Sequence, residues 1–435
     1  MKYLYDIHYH AFNLSHANLT AFVERMLYKS KKTNIFSKIA SIAKAALGFI
    51  LRGEVISERL QNTLAVFEYP IEDHFLIVEY YLKNKDPKII TDKNTIRLYK
   101  SGDEYDKLVI CPLMMDFGQK QASVNKDAKL FYDEMPGKPI VNQTIDLFNA
   151  IKNYYSYTLE KENNKLIKKP VSDPKTKPLR IIPFLGINPE NYIDDENTSI
   201  DSLFSQYFSG YETDTVEQRK HRAIEDSIGA FLKFDGMLSV NKKDNPLPNL
   251  FFGIKVYPPL GFDSVLNSSK TLFIKCLEHK LPVITHCSDG GFVTDGNAED
   301  LTNPDSHWKK ALAQPGLDKL KLDYAHLGIQ HGKLIDWTQC IFNQMKTYPN
   351  IYADISSIAH EVDFYDKLTG LIQKDTSHEL ITDRVLFGTD FLINLTSIES
   401  YNHYLANIQH CKDADLLNKM CTENPEKFLF ETGDF

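Results

Sequence analysis

Short apolar strands recur along this chain, and several of them end in a polar or ionisable residue. Helical patterns follow the strands, and this alternation favours a parallel α/β fold. The eight predicted strands are Tyr3–His10, Lys107–Leu113, Leu179–Phe184, Phe251–Tyr257, Leu281–His286, Lys319–His326, Asn350–Ile355 and Arg384–Asp390. Eight parallel strands with polar residues at their carboxyl ends predict a (β/α)8 TIM barrel with its functional site at that end.

The alternation of side chains within the strands agrees with a barrel. Successive residues of a strand point to opposite faces. With His8 and His10 directed inward, Ile7 and Tyr9 face the surrounding helices. The polar residues therefore share one face of the strand, and the apolar residues lie on the other.

The chain has 435 residues, well above the roughly 250 of a plain barrel. The excess lies mostly after the first two strands, in residues 11–100 and 114–178. We expect a single domain over residues 1–435, with the two insertions forming a lid or pocket wall. Within the second insertion, the sequence predicts a helical run over Gln143–Glu162 and a solvated loop over Lys161–Pro178.

Charge and composition exclude several classes of protein. The formal net charge of −8 and a pI near 6.0 provide no electrostatic surface for nucleic acid, so a small-molecule partner is expected. Six cysteines without a CxxC pair, and an N-terminal segment without signal-peptide character, indicate the cytoplasm. Charged residues interrupt the apolar stretch Asn34–Gly53, which is predicted to be an amphipathic helix and not a membrane span. The sequence is compatible with a homo-oligomer as well as with a monomer.

Candidate metal ligands occur at the predicted strand ends. His8 and His10 form an HxH pair on one face of the first strand, and His286, His326 and Asp390 end the fifth, sixth and eighth strands. Strand ends meet at one mouth of a barrel, so these groups are expected to converge. Neutral imidazoles and a carboxylate suit Zn²⁺ or a similar divalent ion. Such an ion lowers the pKa of a bound water from about 15.7 toward about 7.

Several blocks in the same order resemble the amidohydrolase superfamily. They are YDIHYHAF, GIKVYPPLGF (Gly253–Phe262), PVITHCSDGG (Pro282–Gly291), AHLG (Ala325–Gly328), YADIS (Tyr352–Ser356), VLFGTDF (Val385–Phe391) and ENPEKFLF (Glu423–Phe430). The branch they resemble most is the amidohydrolase-related group that includes aminocarboxymuconate-semialdehyde decarboxylase.

The resemblance implies a role for each candidate ligand. It implies that His8, His10, His286 and Asp390 bind the metal, with Asp390 also able to take a proton from an attacking water. It further implies that His326 acts as an acid/base or carbonyl-polarising group in a one-metal enzyme, or ligates a second ion in a two-metal enzyme.

Lys255 and Tyr257 are expected to contact the substrate. Lys255 faces inward on the fourth strand, where two-metal members of the superfamily carry a carboxylated, bridging lysine; an unmodified ammonium would bind an anionic group of the substrate instead. Tyr257 has the same parity and could donate a hydrogen bond to the substrate or simply fill the barrel. Asp354 and Ser356, which end the seventh strand, are expected to orient His326 or the substrate.

These observations predict a metal-dependent enzyme with one divalent ion, most simply Zn²⁺, and a small, anionic substrate. Hydrolysis of an amide, ester or lactone is the first reaction considered, by the weight of the superfamily. Decarboxylation of a small unsaturated acid is the alternative, and a non-catalytic barrel that only binds a metal and a ligand is a third.

Overall fold

The computed structural model describes most of the chain. The described part comprises residues 1–16, 65–84, 96–97, 104–117, 138–192, 200–208, 213–236, 250–291 and 296–431. The predicted amphipathic helix Asn34–Gly53 lies outside these residues, as does much of the first insertion.

Thirteen strands are present in the described residues, most of them short. They are β1 (Tyr3–His10), β2 (Ile96–Arg97), β3 (Glu104–Tyr105), β4 (Lys107–Leu113), β5 (Tyr157–Glu162), β6 (Lys165–Pro170), β7 (Leu179–Ile181), β8 (Leu185–Gly186), β9 (Ile254–Val256), β10 (Val283–Thr285), β11 (Leu322–Tyr324), β12 (Ile351–Asp354) and β13 (Val385–Leu386).

The strands of the two larger sheets pair in parallel, whereas β2–β3 and β5–β6 are antiparallel pairs. One sheet has the order β1-β4-β7, and a second has the order β13-β12-β11-β10-β9-β8. β7 lies within the third predicted strand, Leu179–Phe184, and β8 begins directly after it. This part of the chain therefore has a partner in each sheet. The parallel α/β fold predicted from the sequence is therefore confirmed.

The first and last of these strands also meet. The Ile7 amide donates to the Phe387 carbonyl at 3.1 Å, and the His10 amide donates to the Phe391 carbonyl at 2.7 Å. Tyr9 and Phe391 form an isolated parallel bridge. These contacts bring His8 and His10, at the end of β1, beside Asp390, which lies 382 positions after His8 in the sequence.

Helices occupy most of the connections between the strands. They are α1 (Ile71–Asn84), α2 (Ile140–Ser156), α3 (Ile200–Tyr207), α4 (Val216–His221), α5 (Ser227–Leu232), α6 (Asn267–Glu278), α7 (Ala298–Thr302), α8 (Lys309–Leu312), α9 (Asp336–Thr347), α10 (Phe364–Gln373), α11 (His378–Thr382), α12 (Asn402–Ile408), α13 (Ala414–Asn418) and α14 (Asn424–Phe430). Apolar residues of strands and helices form one core cluster. Among the described residues, no helix has the length and apolar character needed to cross a bilayer.

The second insertion differs from its sequence-based prediction. The predicted helical run ends early, because α2 stops at Ser156 and residues 157–162 form β5. The segment predicted to be a solvated loop contains β6, which pairs antiparallel with β5 in a hairpin. Asn163 and Asn164 make the turn with positive φ values of 49° and 64°. Asparagine tolerates this left-handed conformation better than most residues, so the Asn-Asn pair favours a hairpin.

Candidate metal centre

Three of the predicted ligands lie together at the junction of the first and last strands. The Nε2 atom of His10 is 3.0 Å from Oδ1 of Asp390, and Nε2 of His8 is 3.6 Å from the same oxygen. One ligand atom from each of the three residues lies within 4.8 Å of the others. All three side chains are buried. The spacing predicted from the HxH motif therefore brings two imidazoles to one carboxylate.

The backbone of Asp390 is held in place by strand β1. Asp390 has a φ of 59°, a left-handed conformation that aspartate adopts more readily than most residues. Its amide donates to the His8 carbonyl at 2.7 Å. The carboxylate that meets His8 and His10 is therefore fixed by a main-chain contact with the same strand that carries them.

Asp354, at the end of β12, determines which nitrogen of His8 is free. Its Oδ2 lies 2.7 Å from Nδ1 of His8, so Nδ1 carries the proton and donates it, which leaves the lone pair on Nε2. The other oxygen of Asp354 accepts hydrogen bonds from the backbone amides of His326 at 3.1 Å and Ser356 at 2.9 Å. Asp354 therefore orients His8 as well as the neighbouring strand ends.

The protonation states of this cluster suit a divalent cation. Burial, with the nearby Lys255 ammonium, lowers the pKa of His8 to about 3. Burial opposes ionisation of Asp390, but the hydrogen bond with His10 and the adjacent His326 hold the pKa of its carboxyl below the usual range. The cluster thus combines the neutral imidazole of His8 with the carboxylate of Asp390.

An unsatisfied atom supplies the test of whether a metal fits. Nε2 of His8 is buried and has no hydrogen-bond partner among the described residues. Buried polar atoms normally have partners, so an orphaned lone pair aimed at a carboxylate needs an explanation. A cation between His8, His10 and Asp390 provides one, and this donor set is compatible with Zn²⁺ or Mn²⁺.

His286 and His326 lie next to this cluster and contact each other. Nε2 of His326 is 3.1 Å from Nδ1 of His286, with the proton on either nitrogen according to tautomer. The second nitrogen of His286 faces the Gly290 carbonyl at 3.0 Å and the Ser288 hydroxyl at 2.9 Å. His326 is 5.0 Å from His8 between ring centroids. His286 thus contacts His326, which lies next to His8. The role of His286 as a metal ligand stays a prediction.

His326 has the serine neighbour expected from the seventh strand. The Ser356 hydroxyl lies 2.9 Å from Nδ1 of His326. Burial lowers the pKa of His326 and of His286 below the ordinary histidine value. Both imidazoles are therefore neutral at physiological pH in this environment.

Lys255 is the buried cation of the site. Its Nζ has no hydrogen-bond partner among the described residues, and the side chain is buried. Burial lowers the pKa of Lys255 to about 8, while the negative charges of Asp354, Asp390 and Asp323 act in the opposite direction. An ammonium that still carries its charge near neutral pH is thus held close to the candidate ligands.

Tyr257 packs on His286. The two ring centroids are 4.7 Å apart, and the tyrosine is buried. Gly291 closes this corner, since a Cβ built there would meet the Tyr257 hydroxyl at 2.6 Å and Nε2 of His286 at 2.7 Å. Gly291 also has a φ of +105°, which favours glycine. These contacts support His286, and the predicted contact of Tyr257 with substrate stays a prediction.

An aromatic cluster flanks His10 on the side of the insertions. Phe12 is 5.5 Å from the His10 ring, stacks on Phe67 at 5.5 Å and meets Phe117 edge-on at 5.3 Å. Phe12 and Phe67 belong to the first predicted insertion and Phe117 to the second. Side chains from both insertions therefore come together next to a candidate ligand.

Two buried carboxylates were not identified from the sequence. Asp323 on β11 lies in the interior beside Asp354, and burial together with that neighbouring charge raises the pKa of Asp323 well above its usual value. Asp6 on β1 is also fully buried. The available signal was an acidic residue inside a predicted strand, in YDIHYH and KLDYAH.

Comparisons with known proteins agree with the motifs. The family model described as Amidohydrolase (Amidohydro_2) matches residues 248–430. No curated protein matches the chain.

Among solved structures, the chain is similar to 5-carboxyvanillate decarboxylase from Novosphingobium aromaticivorans, complexed with manganese and 4-hydroxy-3-methoxy-5-nitrobenzoic acid. The identity is 11%, the match covers 99% of this chain and 96% of that chain, and the TM-score is 0.44. It is similar to a probable 2-pyrone-4,6-dicarboxylic acid hydrolase from Acinetobacter baumannii, with citric acid bound, at 9% identity, 99% coverage of both chains and a TM-score of 0.41. A dihydroxybenzoic acid decarboxylase from Polaromonas, with manganese and 2-nitroresorcinol, has 12% identity, 100% coverage of both chains and a TM-score of 0.42.

The matched segment contains the strands that carry His286, His326 and Asp390. The resemblance to the amidohydrolase superfamily that the sequence motifs indicated is therefore confirmed over residues 248–430.

Proposed function

We propose that this protein is a metal-dependent enzyme that removes carbon dioxide from a small carboxylic acid. The single observation that carries the proposal is the cluster of His8, His10 and Asp390. Its ligand atoms converge, and the buried Nε2 of His8 has no hydrogen-bond partner within the described part of the chain. A divalent ion held by these residues, with His286 as a fourth ligand, would act as a Lewis acid that polarises an oxygen of the substrate. We propose one ion, Zn²⁺ or Mn²⁺.

We further propose that the eight parallel strands close into a (β/α)8 barrel and that residues 11–100 and 114–178 contribute a wall over its mouth. The hydrogen bonds between β1 and the segment after β13 support closure. The aromatic cluster of Phe12, Phe67 and Phe117 supports a wall built by both insertions.

Lys255 is the reason for placing decarboxylation first. The buried ammonium of Lys255 has no hydrogen-bond partner in the ranges that the structure describes. Such a group is unfavourable in a low-dielectric interior, so a bound anion would stabilise it. Decarboxylation requires a carboxylate substrate, whereas hydrolysis of an amide, ester or lactone does not. Two of the three similar proteins named above are decarboxylases, but the preference for decarboxylation rests on Lys255. This preference reverses the order of reactions expected from the sequence.

The side chains have distinct tasks in this reaction. Lys255 binds an anionic group of the substrate, and Asp354 keeps the Nε2 lone pair of His8 available. The bond between the ring or alkenyl carbon and the carboxyl carbon breaks, its electron pair stays on that carbon, and CO₂ leaves. A proton from water then replaces the carboxyl group and leaves hydroxide behind. Asp390, which is ionised, and the neutral His326 are placed to relay that proton to the carbon. Tyr257 holds His286 and completes the substrate wall.

Hydrolysis remains the second candidate because of Asp390. Its pKa lies below the usual range, so it is ionised and lies at 3.0 Å from Nε2 of His10. A carboxylate in this position can accept a proton from a water molecule that attacks a carbonyl.

The test measures metal binding and both reactions on the same preparations. Metal-loaded protein is assayed for CO₂ release from a panel of aromatic and unsaturated carboxylic acids, and for hydrolysis of carboxylate-bearing lactones, esters and amides. We expect CO₂ release that is lost after chelation and in His10→Ala. Lys255→Gln is expected to raise KM strongly, whereas Lys321→Gln, a matched change of another buried lysine, is not. Hydrolysis without CO₂ release would favour the second candidate, and a protein that binds no divalent ion would contradict both.

A further inference from the structure

Asp6 lies two residues before His8 on β1 and is surrounded by donors. Its Oδ1 accepts the amides of His8 at 3.2 Å and Thr389 at 3.0 Å. Its Oδ2 accepts the Thr389 hydroxyl at 2.7 Å and the Tyr401 hydroxyl at 2.9 Å. Three of these four hydrogen bonds come from the segment that follows β13. A single buried carboxylate thus ties the last strand end to the first strand.

Thr389, which makes two hydrogen bonds to Asp6, directly precedes the candidate ligand Asp390. Thr389 donates both its amide and its hydroxyl to Asp6, and its hydroxyl oxygen accepts the Phe391 amide at 3.2 Å. The Thr389 carbonyl accepts Nδ2 of Asn394 at 3.0 Å. These hydrogen bonds therefore hold the peptide groups on both sides of Asp390.

The orientation of the Asp390 carboxylate depends on this backbone. Asp390 has the left-handed φ of 59°, and a rotation of its peptide groups would move the carboxylate away from His10. Main-chain bonds resist such a rotation: the Asp390 amide donates to the His8 carbonyl at 2.7 Å, and the Asp390 carbonyl accepts the Ile393 amide at 3.1 Å. The hydrogen bonds from Thr389 to Asp6 act beside them, at the residue that precedes Asp390.

We propose that Asp6 is a positioning residue: acting through Thr389 and Tyr401, it holds Asp390 against His8 and His10 so that the three ligand atoms stay together. This inference rests on the proposed metal-dependent function. Asp6 supplies no atom to the ion and does not touch the substrate. A merely structural role would stabilise the fold without changing the affinity of the site for a cation.

Two tyrosine variants separate these roles. Tyr401 and Tyr324 are both buried, and each hydroxyl donates to one side chain, Asp6 at 2.9 Å and Gln344 at 2.7 Å. Tyr401→Phe and Tyr324→Phe therefore remove equivalent groups, one beside the candidate centre and one against helix α9. The thermal midpoint of the metal-free protein and the Mn²⁺ dissociation constant, measured by competition with a chromophoric chelator, are compared for the two.

We expect both variants to lower the thermal midpoint, and Tyr401→Phe alone to weaken Mn²⁺ binding. Loss of a group that orients metal ligands typically costs about 10- to 100-fold in affinity. Thr389→Val, which keeps the side-chain volume but removes the hydroxyl, should show the same loss. Thr389→Ser, which keeps the hydroxyl, should retain near-native affinity. Asp6→Asn should show the largest effect, since its amide nitrogen cannot accept the Thr389 and Tyr401 hydroxyls.

The outcomes distinguish the two levels of the proposal. Wild-type protein that binds Mn²⁺, with Tyr401→Phe and Thr389→Val binding it as tightly as Tyr324→Phe, would overturn the role of Asp6 and leave the proposed function standing. Wild-type protein that binds neither Mn²⁺ nor Zn²⁺ would overturn the proposed function first. If Asp6→Asn does not fold, the tyrosine pair and the two threonine variants still decide.

Discussion

At the scale of single residues, the candidate centre depends on side chains that have no ligand atom in it. Asp354 fixes the tautomer of His8, because its Oδ2 lies 2.7 Å from Nδ1 of the histidine. Gly388 has no side chain, which allows the segment after β13 to approach the same histidine. Both residues make predictions that can be checked against matched changes elsewhere in the chain.

Asp354→Asn should weaken divalent metal binding. An amide can still accept the backbone amides of His326 and Ser356 through its oxygen, but its NH₂ group cannot accept from Nδ1 of His8. We expect a loss of Mn²⁺ affinity of about 10- to 100-fold, measured by chelator competition. Asp375→Asn is the control, since Asp375 also accepts a backbone amide, that of Ser377 at 2.9 Å, and lies in the connection after α10. Equal affinities of the two variants would contradict the assignment.

Gly388→Ala should destabilise the protein. A Cβ at Gly388 would lie 2.7 Å from Cβ of His8 and 3.2 Å from Cβ of Ser356, so strand and histidine must separate. Overpacking of this kind costs about 1–3 kcal/mol, and we also expect weaker metal binding. At Gly370, within α10, a Cβ would meet nothing within 4 Å. Gly370→Ala should therefore stabilise by about 0.5–1 kcal/mol through helix propensity. Thermal unfolding of both variants checks the opposite signs.

At the scale of secondary structure, the sequence predicted the strands better than their ends. The first two strands, β1 and β4, have the predicted bounds. The last six are shorter in the structure; Lys319–His326, for example, contains only the three-residue strand β11. An apolar run continues after its ladder hydrogen bonds stop, because the residues beyond remain buried. The hydrophobicity of a segment therefore predicts that it is buried, but it does not predict where its hydrogen bonds to a neighbouring strand end.

The hairpin β5–β6 was missed because its strands are mostly exposed. Residues 165–170 are mostly exposed, and their sequence, KLIKKP, lacks the alternation of apolar and polar residues by which strands are recognised. The sequence signal for the hairpin is the Asn163-Asn164 turn and not the composition of its strands. Charge content alone indicated a solvated loop.

Asn164→Val should loosen this hairpin. A β-branched residue at a φ of 64° is strained by about 1–2 kcal/mol. We expect faster amide hydrogen exchange across residues 157–170 and little change elsewhere. Asn164→Gly, which accepts the left-handed conformation, should keep native exchange rates. Unchanged exchange in Asn164→Val would show that the turn does not control the hairpin.

A buried ion pair anchors helix α1 to the segment before β7. Nζ of Lys177 is 2.5 Å from Oε2 of Glu79, and both side chains are buried. Glu79 also accepts Lys83 at 2.6 Å and the Thr158 hydroxyl at 2.9 Å. Glu79 lies in the first predicted insertion and Lys177 in the second. The pair therefore joins the two insertions to each other.

Lys177→Met should be strongly destabilising because it leaves Glu79 buried with fewer partners. Removal of one member of a buried pair costs about 3–5 kcal/mol. Lys169→Met is the control, since the pair of Lys169 with Glu162 is exposed and such pairs contribute about 0–1 kcal/mol. Denaturant unfolding monitored by circular dichroism compares them. Similar losses in both variants would argue against a stabilising role of the buried pair.

At the scale of the whole molecule, buried lysines connect stability with pH. Burial lowers the pKa of Lys321 to about 7, whereas an unfolded lysine titrates near 10.4. Between these values the unfolded chain binds more protons than the folded one. Stability therefore rises with pH in this window, by up to about 1.4 kcal/mol per pH unit for this group.

Comparison with Lys321→Met isolates this contribution. We expect the stability of the wild type, relative to the variant, to increase between pH 7 and pH 9, measured by denaturant unfolding at each pH. Lys321 donates to the carbonyls of Lys427, in α14, and of Glu431, directly after it. Parallel pH profiles of the two proteins would mean that Lys321 keeps an ordinary pKa in the folded state.

The candidate site was predictable from the sequence only where strand ends carry its residues. His8, His10 and Asp390 follow from that rule, and the structure brings them together. The partner of His8 could not be read in the same way, because its contact with Asp354 spans 346 positions and depends on which strands adjoin. Asp6 was hidden for a related reason: its donors, Thr389 and Tyr401, lie beyond the last strand.

The meeting of β1 with the segment after β13 also has a consequence for biosynthesis. Asp390 is added to the growing chain 382 positions after His8. At about 5–20 residues per second, translation leaves the nascent first strand without its closing neighbour for roughly 20–80 s. A cation that needs both ends can therefore be captured only after the segment that follows β13 has been made, and any chaperone that protects the open edge of β1 must act throughout this interval.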